Sequence, residues 1–416
     1  MSRRTSSTAV APSVDAAGFW MSSPPPLKVS GSGKGEMSTA SVTAARDLTG
    51  MAQTVLGPIA AERLGMTMPH EHLFVDVTCM FDLPREATER ARAYQPFTLE
   101  NAGWIRYNYF RHYDNLLLID EETTCNEVER FKRAGGNTSV EVTTPGIGRD
   151  PLALARVARA TGINVIMSTG YYVAPTHPSA VKTQNEEEIA CWMIAEIRDG
   201  ACLESGAGSA QDWEAETHKT GIRAGIIKVG ATYPLTREEK KVLRAAAEAQ
   251  RETGAAITVH VGRHDRSAHE IVEVLTAARA ELERVVLDHL DLRVEHLTTL
   301  DDLARTGCYL EFDLFGHEIS YYPLTKRDMP SDAQRLDILA HVRELGCIER
   351  VPISQDICTK HRLVRYGGHG YGYICGCVVP RMRERGFSEQ QIETILVKNP
   401  ARVLAFGPPR GRRADG

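Results

Sequence analysis

From about Thr54 onward, short apolar runs rich in β-branched residues alternate with stretches of helical periodicity, and the alternation repeats eight times. The runs lie at 66–76, 138–143, 164–169, 225–229, 256–261, 285–289, 309–315 and 351–357. Helical patterns fall between them near 124–134, 151–161, 186–199, 236–253, 267–282, 294–306 and 331–346. A last one, 388–397, follows Phe387, with Ser388 as its N-cap and Asn399-Pro400 as its stop. Eight strands alternating with eight helices over about 350 residues specify an α/β chain folded as a (β/α)8 TIM barrel. The rival, a doubly wound open sheet, needs a phosphate-binding glycine turn after its first strand, and none follows here.

Residues 1–50 are a different material, dominated by Ser, Ala, Thr, Gly and Pro and including Pro24-Pro25-Pro26. Too few large apolar side chains are present to offset the entropy of ordering, so this segment reads as a disordered tail, with a second one at 409–416. Arg3-Arg4 invites a transit or secretion reading, but the longest apolar-leaning run, 16–21, is too short for a signal-peptide core. Met37 and Met51 are alternative starts. The barrel domain is expected to span 51–408. More than forty residues separate its first strand from its first helix, so 77–123 is expected to form a helical excursion at the barrel mouth. The aromatics there, Trp104, Tyr107, Tyr109, Phe110 and Tyr113, either pack the excursion onto the barrel or meet substrate.

The balance of 49 basic and 54 acidic residues argues against nucleic-acid partners, and no apolar run is long enough to span a membrane. Nine cysteines without paired spacing suit reduced thiols and a cytoplasmic location better than a disulfide framework. The Cys375-x-Cys377 pair reads as free thiols for the same reason.

The chemistry is concentrated at strand ends, where a barrel enzyme keeps its active site. His70 and His72 are two apart on the first strand and so face the same side, a chelating pair if that side is the interior. His260 and His289 each end a later apolar strand. Asp356 follows Val351-Pro352-Ile353-Ser354-Gln355, and a carboxylate there is costly to bury unless paired or coordinated. Lys228 sits inside Gly225-Ile226-Ile227-Lys228-Val229-Gly230, where an unpaired ammonium is unfavourable. Two readings stay open for it: a carbamate formed with carbon dioxide, which presents two oxygens to cations, or an amine paired with a carboxylate such as Asp356. Arg149, after a glycine-rich turn, either clamps an anionic substrate group or forms a structural ion pair. Tyr171 and Tyr172 end the third strand and either line the pocket or cap the barrel. Gly367-Gly368-His369-Gly370 is expected to be a flexible lid.

The run from Thr54-Val55-Leu56-Gly57 through Leu64-Gly65-Met66-Thr67-Met68-Pro69-His70-Glu71-His72-Leu73 resembles the opening signature of the phosphotriesterase family. Ile226-Ile227-Lys228-Val229, Thr258-Val259-His260, Asp288-His289, Ile353-Ser354-Gln355-Asp356 and Asn399-Pro400-Ala401-Arg402 are similar to later family blocks in the right order. Gly135-Gly136-Asn137, the run 144–150, the run 308–316 and the run 366–371 resemble the phosphotriesterase-related branch. The resemblance covers about residues 52–406 and implies a barrel of the metal-dependent amidohydrolase type with two divalent ions, usually zinc. It implies that His70, His72 and Asp356 hold the more buried ion and that His260 and His289 hold the more exposed one. It implies further that carboxylated Lys228 and a hydroxide bridge the two and that Asp356 takes the proton as the hydroxide attacks. Members of the branch can carry Glu at the bridging position, which carboxylated Lys228 matches in charge and reach. Organophosphate hydrolases of the family extend the aspartate through a His and a second Asp, and the matching positions here are Leu314 and Leu292.

These features predict a binuclear metal hydrolase acting on the carbonyl of an ester, lactone or amide in a small-molecule substrate. A phosphotriester hydrolase, a non-catalytic small-molecule receptor on the same barrel and a mononuclear deaminase-like enzyme are the alternatives. A homodimer is the assembly that the resemblance implies.

Overall fold

A computed structural model describes residues 47–203, 219–319, 322–324 and 328–410. The tails expected at 1–50 and 409–416 fall outside the described residues except for 47–50, 409 and 410. Seven parallel strands form one curled sheet, hydrogen-bonded in chain order: β1 (Thr67–Glu71), β2 (Thr138–Glu141), β3 (Asn164–Thr169), β4 (Ile226–Gly230), β5 (Ile257–His260), β6 (Val285–Asp288) and β7 (Tyr309–Leu310).

The eighth stave, 351–357, closes the ring without forming a regular strand. Pro352 has no N–H to give a ladder. On one side Ser354 N donates to Phe312 O at 3.2 Å and Phe315 N to Ser354 O at 3.3 Å. On the other, Asp356 N donates to His70 O at 3.1 Å, and the Ser354 hydroxyl donates to His70 O at 2.9 Å while accepting from His70 N at 3.1 Å. Buried Glu71 accepts from Ser354 Oγ, Gln355 N, Gln355 Nε2 and Ile357 N at 2.8–3.0 Å, so a carboxylate replaces the missing backbone partners. Burial pushes its carboxyl up to about 7 against the pull of those bonds. The result is a (β/α)8 barrel whose last stave is stitched by side chains.

The helices begin where capping side chains are available. Asp120 and Asp150 cap α1 (Glu121–Arg133) and α2 (Pro151–Thr161), accepting from Thr123 N at 2.7 Å and Ala153 N at 2.9 Å. Capping boxes at Asn185, Thr236 and Ser331 start α3 (Glu186–Arg198), α4 (Arg237–Thr253) and α7 (Asp332–Glu344). Between the last two lie α5 (Ser267–Ala277) and α6 (Leu297–Ala304). Ser388 caps the final helix as expected, but Asn399-Pro400 does not end it. A π turn over Thr394–Lys398 precedes the proline, so the helix continues to Leu404 past a residue that cannot donate.

Alternation along the strands separates two layers inside the barrel. Ile226 and Lys228, Val286 and Asp288, and Tyr309 with Glu311 share a face pairwise. Val140, Ile166, Ile226, Ala256, Val286 and Tyr309 form one buried cluster with Leu64 and Ala52, the apolar layer beneath the polar one. Ala52 belongs to a hairpin, Met51–Thr54 with Gly57–Ala60, which sits at the opposite end from the strand C-termini and from which Val55 N donates to Val165 O.

The excursion after β1 is pinched at its base by the antiparallel pair Val75–Asp76 and Leu117–Leu118. It carries two helices, Ala87–Ala93 and Leu99–Tyr107. Its aromatics divide: Phe81, Tyr94 and Tyr113 pack on one another, whereas Tyr109 and Phe110 line a cavity at the barrel mouth. All nine cysteines are free thiols. No described helix is long and apolar enough to cross a membrane.

Candidate active site

The residues singled out at strand ends converge. His70 and His72 present Nε2 to the Asp356 carboxylate at 3.8 and 3.3 Å, which puts both on the interior face despite an irregular register between Met68 and Glu71. His72 is oriented from behind by Thr143 Oγ1, 2.7 Å from its Nδ1. His289 Nε2 lies 2.7 Å from His260 Nδ1, so two imidazoles from adjacent strands point at one spot. Lys228 Nζ lies 3.5 Å from His70 Nε2. Gly170 permits this crowding: a Cβ there would meet Lys228 O at 2.1 Å.

Two of these residues stand in left-handed backbone, His289 at φ 61° and Asp356 at φ 51°. Each costs on the order of 1 kcal/mol for a non-glycine residue, a strain that proteins keep where it serves a site. Here the turn swings each side chain off its strand end toward the cavity.

Three carboxylates beyond the expected set complete the cluster. Asp288 pairs with the Lys228 amine and accepts from Thr258 Oγ1 at 2.6 Å. The partner of Lys228 is therefore Asp288 rather than Asp356. Asp313 accepts from His289 twice, from the backbone N–H at 3.2 Å and from Nδ1 at 2.7 Å, and lies 3.0 Å from His70 Nδ1. Glu311 lies 3.5 Å from the same nitrogen. Sequence reasoning missed all three, although the signal was present. Glu311 and Asp313 are two apart on an apolar strand, as His70 and His72 are, and Asp288 is as costly to bury as Asp356.

Burial and neighbours set the protonation states. Burial and the nearby Lys228 lower His70, and burial with His289 and Arg293 holds His260 well below the ordinary imidazole value. Both are neutral at pH 7 and keep a lone pair for a ligand bond. Burial, with Asp288 and Asp313 beside it, pushes Glu311 well above the carboxylate range. Burial also opposes ionisation of Asp313, but His289 and His70 outweigh it and hold that carboxyl well below its usual value. For Asp356, burial is outweighed by the hydrogen bond from His72 and by the adjacent His70 and His289, leaving it at about 2.

The donor set fits a divalent cation. Even with Glu311 held neutral, three other carboxyl groups meet one amine in a nearly dry interior, an excess of acid that a cation would offset. Ligand atoms of His70, His72 and Asp356 lie within 4.8 Å of one another, as do those of His70, Asp288, His289 and Asp313. Neutral imidazole and carboxylate are ligands for zinc and its neighbours. Asp313, on the far nitrogen of His289, has the place of an outer carboxylate that fixes tautomer and ring orientation.

Above the cluster is a cavity with His260, His289 and Asp356 in its wall, while His70, His72 and Lys228 are buried behind them. Tyr172 lines it, with its hydroxyl 3.3 Å from His260 Nδ1. The other two expected substrate contacts lie elsewhere. Arg149 makes a bidentate pair with Glu196 at 2.6 Å and donates to Ser168 O, all buried, which is the structural ion pair of the two alternatives. Tyr171 is buried away from the cavity, its ring stacked on Trp192 at 4.8 Å. The Gly367-Gly368-His369-Gly370 segment bonds back to the loop before it, Gly368 N to Leu363 O at 2.9 Å and Gly370 N to Arg362 O at 2.8 Å.

A barrel with this histidine–carboxylate cluster at the C-terminal ends of its strands is the framework of a hydrolytic enzyme of the amidohydrolase type. The model of the phosphotriesterase family matches residues 50–404. The chain belongs to that family. It is 38% identical over 379 residues to an N-acetyltaurine hydrolase of Dictyostelium discoideum, a match covering 86% of this chain and 98% of that protein. Among solved structures, a resiniferatoxin-binding protein from Rhodobacter sphaeroides superposes with a TM-score of 0.77 at 31% identity, covering 86% of this chain and 97% of that one. A lactonase from Listeria monocytogenes gives a TM-score of 0.66 at 25% identity, covering 86% and 100%.

Proposed function

We propose that this enzyme hydrolyses the amide carbonyl of a small N-acyl compound, with the rim cluster holding two divalent ions, zinc being the expected metal. The observation that carries the reading is the gathering of His70, His72, His260, His289, Lys228 and Asp356 beside one cavity in a chain so similar to an N-acetyltaurine hydrolase along nearly its whole length. When bound, such ions lower the pKa of a water and polarise the substrate oxygen. His70, His72 and Asp356 would hold one ion, His260 and His289 the other, with Lys228 as a carbamate reaching both. Asp356, ionised and at the cavity wall, accepts the proton released during attack. Tyr172 holds His260 from the substrate side.

The likeness to a lactonase favours lactones as a second substrate class, since both reactions pass through attack on an acyl carbon. Phosphotriesters fit less well: Leu292 and Leu314 present hydrocarbon in the wall where the organophosphate hydrolases carry their proton relay. The likeness to a resiniferatoxin-binding protein raises the receptor alternative, but a receptor has no need to keep a complete ligand set. The test is a panel of N-acyl amides, lactones and phosphotriesters on zinc-loaded protein. Amides are expected to exceed phosphotriesters by at least ~100-fold in kcat/KM. Phosphotriesters as the best substrates, or binding without turnover, would overturn the proposal.

A further inference from the structure

The cavity wall away from the metal-binding cluster holds three buried polar atoms with no hydrogen-bond partner: Arg293 Nη1, Tyr109 Oη and His317 Nε2. Leaving such groups unpaired in a folded interior is costly, and proteins tolerate it where a ligand completes the bonds. One apolar patch runs along this wall, where Leu292, Leu314, Tyr322 and Met329 pack with Tyr109. The Tyr109 ring meets His317 edge-on at 5.3 Å. Arg293 is 4% exposed and is aimed by its Nε, which donates to Val261 O at 3.1 Å, and by the Tyr322 ring 6.0 Å from its guanidinium carbon. Arg263 at the mouth donates to Tyr322 Oη at 3.3 Å.

The charges in this wall are one-sided. Among the described residues that line the cavity, Asp356 is the one carboxylate, facing Arg263, Arg293 and Arg362. Arg362 is committed to the fold through Asp356 O, Gln355 O and Phe315 O. Arg263 and Arg293 are not consumed in this way.

We infer that this wall is an anion subsite: Arg293, assisted by Arg263, binds a sulfonate or carboxylate on the amine half of the substrate while the acyl carbonyl lies at the cluster. Tyr109 and His317 complete the polar lining. The inference rests on the amide reading above and narrows it to N-acyl amides whose amine half ends in an anion. A planar guanidinium with free N–H groups suits either anion and discriminates against neutral and cationic ends.

The experiment compares 2-acetamidoethanesulfonate, N-acetyl-β-alanine, N-propylacetamide and N-acetylethylenediamine as substrates of wild type, Arg293→Lys, Arg293→Met and Arg263→Met. Calorimetric titrations of the same proteins with 1-propanesulfonate and with propanoate run alongside. Wild type is expected to favour the anionic amides over the neutral one by about 100-fold in kcat/KM. In Arg293→Met that ratio should fall to within about fivefold, with a partial fall in Arg293→Lys and Arg263→Met, and 1-propanesulfonate affinity should drop at least ~10-fold. The sulfonate and carboxylate arms reveal which anion is preferred. Thermal melting identifies any variant that fails to fold, and Arg263→Met, at the exposed mouth, then carries the comparison. Amide turnover without charge preference, or an unchanged ratio in folded Arg293→Met, overturns the subsite while leaving the amide reading intact. Turnover of lactones alone overturns the amide reading, and the titrations then decide the subsite by themselves.

Discussion

Asp313 ties down the one histidine whose backbone has already turned out of its strand. It accepts from both the N–H and Nδ1 of His289, so it fixes ring orientation and tautomer together. Outer carboxylates of this kind typically contribute about 10- to 100-fold to metal affinity or activity. Asp313→Asn should therefore lower metal affinity and kcat within that range, as read by chelator competition and steady-state kinetics on folded protein. The rim histidines were legible in the sequence because His70 and His72 stand two apart on one strand and His260 and His289 each end another. Arg149 shows the limit of that kind of reading. Its charge near a strand end was visible, but its partner Glu196 lies on a helix 47 residues away, and no local pattern announces the pair. Arg149→Met leaves Glu196 buried and unpaired, which should cost about 3–5 kcal/mol in a urea titration. A change in KM with unaltered stability would return Arg149 to the substrate.

Among the elements, the regular ones were readable and the irregular ones were not. Strand alternation and capping residues mark β1 to β6 and the helices to within a few positions. The eighth stave was expected as a strand, yet Pro352 denies it a ladder and side chains from Ser354 and Glu71 stand in. The closing helix outruns its expected stop because a π turn absorbs the proline. Asn399, read as a terminator, instead donates to Ile348 O at 2.8 Å and Val351 O at 3.0 Å, pinning the helix to the entry of the eighth stave. Asn399→Ala should cost about 1–2 kcal/mol in a urea titration, since it removes both bonds and strips Val351 O of its donor, while Ile348 O keeps Val351 N at 3.3 Å. The charged run Arg237-Glu238-Glu239-Lys240-Lys241 at the start of α4 reads in the sequence as a solvated helix face, yet one member of it is not solvated. Glu239 is buried, accepting from Thr236 N and Thr232 Oγ1 at 2.9 and 2.7 Å, and so belongs to the cap rather than to a solvated face.

Over the whole molecule, the barrel brings residues from 70 to 356 to one rim, and the site exists only when the ring is closed. Asp356 reaches His72 because its own N–H bonds to His70 O across the seam. That arrangement follows from the order of strands, which the sequence made visible. The acidic layer of Asp288, Glu311 and Asp313 beneath the histidines was harder to see, because a buried carboxylate announces itself only once its neighbours are known.

As proposed, the rim hydrolyses amides through bound divalent ions and Asp356. The most direct measurement is N-acetyltaurine turnover by purified protein with metal content determined on the same sample, for wild type and Asp356→Asn. Wild type is expected to hold about two equivalents of divalent ion per chain and to lose turnover on chelation and regain it on zinc, and folded Asp356→Asn to fall at least ~1000-fold in kcat. Full turnover by metal-free protein, or by Asp356→Asn, would contradict it.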